Sequence, residues 1–563
     1  MGDYREADLI LTGGKVITAD ARFTIAEAVA VRDGRILAVG EAAMVARHQG
    51  AGTRVVPLGG RAVLPGLIDG HAHMDREGLK QVFPSLAGAR SVAAVKARIA
   101  ELARAARPGE WIVTMPVGEP PFYFDLPDSL AEARWPTRQD LDEVAPDNPV
   151  YIRPIWGYWR HTLPLVSMAN SRALAMAGVT RDTPPPDASV TIEHDARGEP
   201  TGVFYESGFV PLVELALFGM APGFTVAQRA AALPRSARAY HMFGTTSVFE
   251  EHGVAGELLR AYRQVHEAGA LTMRSHLVFS PDWRGIAPDA PLAPVVEGWA
   301  HWLAGRGLGD DMLRMSCLIC EIGRTPDNAL RARAAPYTGW AGFNYDFGLE
   351  RARAKELLVA CARNGIRVVG IWPNMLDLYA EVNAVVPIRD LRWVLGHISV
   401  LTREQVARIR DLGLVLTTHT NRYVYKEGHL LKDRWGLPDE DAISPLRWLD
   451  EAGVRFSLAT DNVPVSLFYP MWQSVGRMSL HTQRPVGEVQ AISRERAIRA
   501  ATNDGAFLTL DEARKGSLEP GKLADLAVLS ADPLTVPLAG LKDIEAVMTL
   551  VGGQVVHEAG GQG

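Results

Sequence analysis

Residues 6–62 alternate short apolar runs with glycine turns, the texture of β-strands joined by tight connections. Leu9–Thr12 and Lys15–Thr18 flank Gly13 and Gly14, and Ala28–Val31 and Arg35–Val39 flank Asp33 and Gly34. Each arrangement reads as a hairpin. The C-terminal end has the same texture: Ala524–Leu529 and Ala546–Val551 are strand-like, and Gly552–Gly553 precedes Gln554–Val556. Two β-rich ends around a different middle predict one small β-sandwich built from residues 1–62 plus 510–563.

In the middle of the chain the period changes. Strand-like apolar runs occur at 63–68, 244–249, 271–279, 313–320, 366–372, 392–397, 413–418 and 455–460. Helical stretches lie between several of them, such as Ala354–Arg363, ended by Asn364–Gly365, and Thr402–Arg410, with Thr402 as its N-cap. Eight strand–helix units fit an α/β fold, a (β/α)8 TIM barrel over 63–76 plus 241–509, although periodicity alone leaves two of the strands open. Residues 77–240 separate the first two strands, far more than the roughly 10–12 residues of a short crossover. They predict an inserted α/β lobe covering the mouth of the barrel.

Composition narrows the setting. The chain has 563 residues, 47% hydrophobic and 22% charged, with net charge −6. It can bury a large core, disorder is not expected, and no basic stripe invites nucleic acid. The first residues carry no signal pattern, and no apolar run approaches the ~20 residues of a membrane span. Three cysteines argue against a disulfide framework. The expectation is a cytoplasmic protein without a membrane or nucleic-acid partner, acting on a small molecule, with a homodimer as one arrangement for a barrel of this size.

The chemistry lies at strand ends, where barrel enzymes keep their active sites. His71 and His73 follow the apolar run 63–68. Residues i and i+2 of a strand share a face, so both imidazoles can reach one ion. His397 ends the sixth predicted strand and Asp461 follows the eighth. Three imidazoles and a carboxylate suit a divalent metal: zinc first, with manganese or iron as alternatives when carboxylates join.

Several segments, in this order, resemble the amidohydrolase superfamily and, within it, the YtcJ-like branch of metal-dependent hydrolases. They are Ala7–Val16, Pro65–His73, Asn170–Leu174, Gly198–Gly202, Gly244–Val248, Thr460–Asn462 and Gly516–Leu526. The resemblance spans nearly the whole chain and implies the full count of eight barrel strands. It also implies roles: His71 and His73 ligate metal, His397 ligates a second metal or holds substrate, and Asp461 binds the metal or its water and serves as general base.

The resemblance is incomplete. The family commonly has a lysine at the end of the fourth strand and a histidine at the end of the fifth, whereas 313–321 has no lysine and 366–374 no histidine. A bridged two-metal site is therefore not expected. Glu321 is the best substitute ligand, giving a single-ion site of His71, His73, Glu321 and Asp461, with an acid paired to a nearby arginine as the alternative. Glu250, Glu251 and His252 follow the second strand and face the mouth, and one of them is expected to bind metal or substrate, with Glu251 taken for substrate. His419, His161 and Trp372 complete the substrate candidates. The rings Trp156, Tyr158, Trp159, Tyr423, Tyr425, Phe468 and Tyr469 suggest an apolar or aromatic ligand, with ordinary packing as the alternative. His276 is expected to pack, and Cys317 and Cys320 face opposite ways on a strand.

The expected activity is hydrolysis of the C–N bond of an amide or cyclic amide, with metal-activated water, Asp461 as general base, and His397 or His419 holding the oxyanion. Decarboxylation, deamination or isomerisation on the same scaffold is the alternative, and a non-catalytic binding protein with a degenerate metal site is the third reading.

Overall fold

A computed structural model describes residues 5–118, 130–154, 164–207, 211–323, 339, 342–344, 348–462 and 464–560. The chain divides into two compact units. One comprises Met1–Glu77, Leu233–Gly323 and Phe347–Gly563, the other Gly78–Ala232 and Arg324–Asp346.

The first unit contains eight parallel strands: β1 (Leu67–Asp69), β2 (Thr245–Val254), β3 (Arg274–Phe279), β4 (Leu313–Ile319), β5 (Arg367–Gly370), β6 (Val394–Ile398), β7 (Val415–Thr418) and β8 (Phe456–Ser457). Each pairs in parallel with the next in sequence. Nearly all their residues are buried, as expected where both faces are covered. The ladder ends at β1 and β8, and backbone bonds join these edges: Gly70 N donates to Leu458 O at 3.0 Å, and Asp461 N donates to His71 O at 2.9 Å. The strands thus form a nearly closed barrel. Gly70 permits the approach at this seam, because a Cβ there would lie 2.6 Å from Ser457 Oγ.

The helices between strands follow their sequence signals. Arg351–Arg363 ends at Asn364, and Arg403–Asp411 begins at a capping box in which Gln405 N donates to Thr402 Oγ1 and Thr402 N to Gln405 Oε1.

Three expectations are corrected. The run 63–68 is two strands: Ala62–Pro65 belongs to the terminal sheet, and only β1 enters the barrel. Gly66 makes the crossing, packed so closely that a Cβ would lie 2.2 Å from Thr246 Oγ1. Gly13 and Gly14 do not turn a hairpin but form an irregularity inside one strand, Leu9–Ile17, whose two halves pair with the same neighbour, Ile25–Arg32. The two chain ends, expected to form a β-sandwich, are joined in one continuous eight-stranded sheet, hydrogen-bonded from Gln554–Glu558 through Leu526–Leu529 and Ala62–Pro65 to Arg35–Gly40. Its residues alternate between two apolar clusters, one with Leu9, Leu11, Val29 and Val31, the other with Ile10, Ala28 and Ala30. Glu250, Glu251 and His252 do not follow β2 but lie within it. The hairpin at Asp33–Gly34 is present, both residues having positive φ as a tight turn requires.

The second unit contains a five-stranded sheet in the order Val190–His194, Pro200–Glu206, Leu165–Ala169, Val150–Ile152 and Ile112–Thr114. Alternate residues enter two apolar clusters, so both faces are covered. Glu206 ends the second of these strands, fully buried. Its Oε1 accepts from Val213 N at 2.9 Å, and its Oε2 meets no partner among the described residues. Burial pushes its pKa up to about 8, and Glu214 adds to the effect.

This acid makes a testable contribution. In the fold it stays neutral up to about pH 8, whereas the unfolded chain ionises it near 4.5. Its contribution to stability is therefore present at low pH and falls as pH rises from 4.5 to about 8. Glu206→Gln is expected to raise the thermal midpoint relative to wild type at pH 8.5 and to do so much less at pH 5. A difference between the two proteins that does not vary with pH refutes this.

Candidate metal centre

The C-terminal ends of β1, β2, β6, β7 and β8 bring five imidazoles and one carboxylate together. His71 and His73 follow β1, His252 lies in β2, His397 in β6, His419 follows β7 and Asp461 follows β8. Neighbouring ring centroids are 4.6 Å apart for His71 and His397, 4.8 Å for His71 and His252, and 4.7 Å for His397 and His419. Asp461 sits among them. Its Oδ1 is 3.1 Å from His73 Nε2 and 3.7 Å from His71 Nε2, and its Oδ2 is 3.3 Å from His419 Nε2.

The backbone is bent to achieve this. His397, Asp461 and Asn462 all have positive φ, at 47°, 51° and 48°. For residues other than glycine this region costs about 1–2 kcal/mol each. The seam fixes two of these turns. Asp69 accepts from His71 N at 3.1 Å, from Thr460 N at 3.1 Å and from Thr460 Oγ1, so one buried carboxylate ties the His71 turn to the Asp461 turn. Burial raises the pKa of Asp69 to about 6 against the pull of those bonds.

Electrostatics sort the imidazoles. Burial holds His73, His252, His397 and His419 well below the usual histidine range, and neighbouring positive groups add to it: Arg76 for His73, and His71 for the other three. These rings are neutral at pH 7, the state in which a nitrogen lone pair can bind a metal. His71 differs. Burial opposes its charge, but the carboxylates of Glu251, Asp461 and Asp69 together outweigh burial and raise its pKa. Burial also raises the pKa of Asp461, opposed by His71, Arg76 and Lys426.

Two groups of three donors can each hold an ion: His71 with His73 and His252, and His397 with His419 and Asp461. His71 Nε2 faces His73 Nε2 at 3.1 Å. With the Asp461 distances above, three donor atoms stand close to the roughly 3.4 Å that separates ligands in a tetrahedral zinc shell. The donor set, imidazole nitrogen and carboxylate oxygen, suits a divalent transition metal.

Of the other expected site residues, Trp372 stands beside the cluster, exposed, its ring 5.2 Å from that of His397 at 90°. His161, Trp156, Tyr158 and Trp159 lie outside the described residues. Two of the expected residues are placed apart from the donor groups. Glu321 is in neither donor group. The chain leaves the barrel ladder after Ile319, and Glu321 pairs with Gly348. Its Oε1 accepts from Ile371 N, and burial pushes its pKa up to about 8. Glu251, expected to bind substrate, is fully buried on the far side of His71, against Nδ1. His276 is buried against Ser316, and Cys317 and Cys320 are free and buried.

The sequence reading did not single out Asp69, Thr417, Arg76 or Lys426. Asp69 stands inside the motif that flagged His71 and His73, and its position two residues before His71 is a usable signal. Lys426 ends a π-helical turn, Asn421–Lys426, that follows His419, and burial pushes its pKa down to about 7. No sequence pattern marks such a turn.

A model of the amidohydrolase family matches residues 54–557. The chain belongs to that family. An N-substituted formamide deformylase from Arthrobacter pascens is 25% identical, with 98% of this chain and 99% of the relative covered. The putative amidohydrolase YtcJ of Bacillus subtilis (strain 168) is also 25% identical, over 97% of this chain and 98% of its own. Among solved structures, an uncharacterized metal-dependent hydrolase from Pyrococcus furiosus superposes with a TM-score of 0.63 at 20% identity, covering 94% of this chain and all of that one. The protein is thus an amidohydrolase, on a scaffold shared with metal-dependent hydrolases. No helix among the described residues is long and apolar enough to cross a membrane.

The seam can be tested directly. Asp69→Ala leaves His71 N and Thr460 N buried without their acceptor, at a cost on the order of 1–3 kcal/mol for each unmet donor. The variant is expected to have a lower thermal midpoint and a smaller zinc content after equal loading. Unchanged zinc content in a folded Asp69→Ala protein refutes the role assigned to the seam.

Proposed function

We propose that this amidohydrolase hydrolyses the C–N bond of a small amide or cyclic amide with an aromatic or apolar substituent, using a divalent metal, zinc first. The observation that carries the proposal is the convergence of His71 Nε2, His73 Nε2 and Asp461 Oδ1 in a buried pocket where burial holds His73, His252, His397 and His419 neutral. His71, His73 and Asp461 would hold the ion, with His252 beside them. When bound, a divalent ion there supplies Lewis acidity, polarising a carbonyl and bringing the pKa of water to ~7.

The protein's own groups do the rest. Asp461 takes a proton from the attacking water and returns it to the leaving nitrogen. Its burial favours the protonated form and so suits it to both halves of that transfer. His397 and His419, neutral and beside the second Asp461 oxygen, donate N–H to the oxygen that gains charge. Their rings lie on the side where Trp372 and Tyr423 stand, at 5.2 Å from His397 and 5.6 Å from His419, which favours an apolar or aromatic substituent. The relative described as an N-substituted formamide deformylase supports an acyl–nitrogen bond as the target.

Two measurements test this reading. Chelation should abolish hydrolysis of a panel of N-formyl and N-acyl arylalkylamines and cyclic amides, and one equivalent of zinc per chain should restore it. Full activity needing two equivalents would load both donor groups and overturn the single-ion assignment. Asp461→Asn should lower kcat by about 10²–10⁴-fold. Wild-type kcat in that variant, or product formed in ¹⁸O-water without label, would contradict hydrolysis with Asp461 as base.

A further inference from the structure

We infer that Glu251 is a positioning residue that commits His71 to bind metal through Nε2, and that Thr417 and Gly396 hold Glu251 in place. The inference rests on the metal reading above and adds the part of the barrel that prepares the ligand.

An imidazole has two nitrogens and, when neutral, one proton. It can offer Nε2 to an ion only if the proton resides on Nδ1. Glu251 Oε2 lies against His71 Nδ1, while His71 Nε2 points the other way, toward His73 Nε2 and Asp461 Oδ1. A carboxylate accepts, so Nδ1 donates and the Nε2 lone pair is left for the ion.

Glu251 is itself constrained from two further strands. Thr417 Oγ1, on β7, lies 2.8 and 2.7 Å from its two oxygens. Gly396, on β6, faces the same carboxylate, and a Cβ at that position would lie 2.8 Å from both oxygens. Four strands (β1, β2, β6 and β7) therefore converge on one fully buried carboxylate. Burying such a group is costly, and an apolar side chain of like volume would serve stability as well or better. The arrangement is accounted for by what it does to His71.

Glu250, the neighbour of Glu251 in β2, does not do for His73 what Glu251 does for His71. The nearest approach of Glu250 to His73 Nδ1 is 4.0 Å, beyond hydrogen-bond range, and Glu250 accepts instead from Tyr262 Oη at 2.8 Å and Met74 N at 3.0 Å. Nor does Glu251 belong to either donor group: its Oε2 lies on the Nδ1 edge of His71, whereas Nε2 is the nitrogen that faces His73 and Asp461.

The test is zinc affinity, measured on chelator-stripped protein by competition with a chromophoric chelator, with X-ray absorption counting the nitrogen and oxygen ligands. Glu251→Gln is expected to weaken zinc binding about 10–100-fold while the loaded ion keeps the same number of ligands. Thr417→Val, which removes only the hydroxyl, should weaken it several-fold, and it decides the matter if Glu251→Gln fails to fold. Wild-type affinity in either folded variant overturns the inference. So does a loaded Glu251→Gln ion that has lost one oxygen ligand, since Glu251 would then be a ligand itself. A wild-type protein that takes up no zinc, manganese or iron would instead remove the metal reading on which this rests.

Discussion

His71 and Asp461 are far apart in the chain, and they meet because the first barrel strand is laid against the last. The bond from Asp461 N to His71 O, the bond from Gly70 N to Leu458 O, and the Asp69 carboxylate that accepts from both turns make that seam. The strands that form it are three and two residues long, too short to hold register by a ladder alone. The polar seam supplies what the ladder does not. Every other donor of the site then has a fixed target, since His252, His397 and His419 arrive on strands already ordered between those two edges.

That constraint explains why the site tolerates so much unfavourable chemistry. Five buried imidazoles, several buried carboxylates and three backbone turns of positive φ occupy a space that would be more stable if apolar. Burial favours the neutral form of most of these groups, so the pocket is not a balanced set of ion pairs. It is a set of lone pairs aimed at one another. The divalent ion of the proposed function would stabilise such an arrangement, and so would link the fold's least favourable region to that chemistry.

How much of this was legible in the sequence depended on the range of the interaction concerned. His71 and His73 could be found because a two-residue period places them on one face, and His397 and Asp461 because apolar runs end at them. Glu251 is visible in the sequence as an acid ending an apolar run, but the sequence does not show which way it points. The placement of Glu321 is hidden for a similar reason: the chain leaves the barrel ladder after Ile319, and nothing local announces that departure. In the terminal sheet, Gly13 and Gly14 had the composition of a turn and served as an irregularity, since both flanking segments were claimed by the same partner strand. Asp69 and Thr417 act only across strands distant in sequence, and such pairings are what a single sequence conceals.

If His71, His73 and Asp461 form one coordination shell, as proposed, anomalous diffraction at the zinc edge from crystals of the zinc-loaded protein will show it. A peak is expected within bonding distance of His71 Nε2, His73 Nε2 and an Asp461 oxygen, with Glu251 on Nδ1 of His71 and outside the shell. A peak bonded to Glu321, or one that leaves Asp461 or His71 unligated, would contradict it.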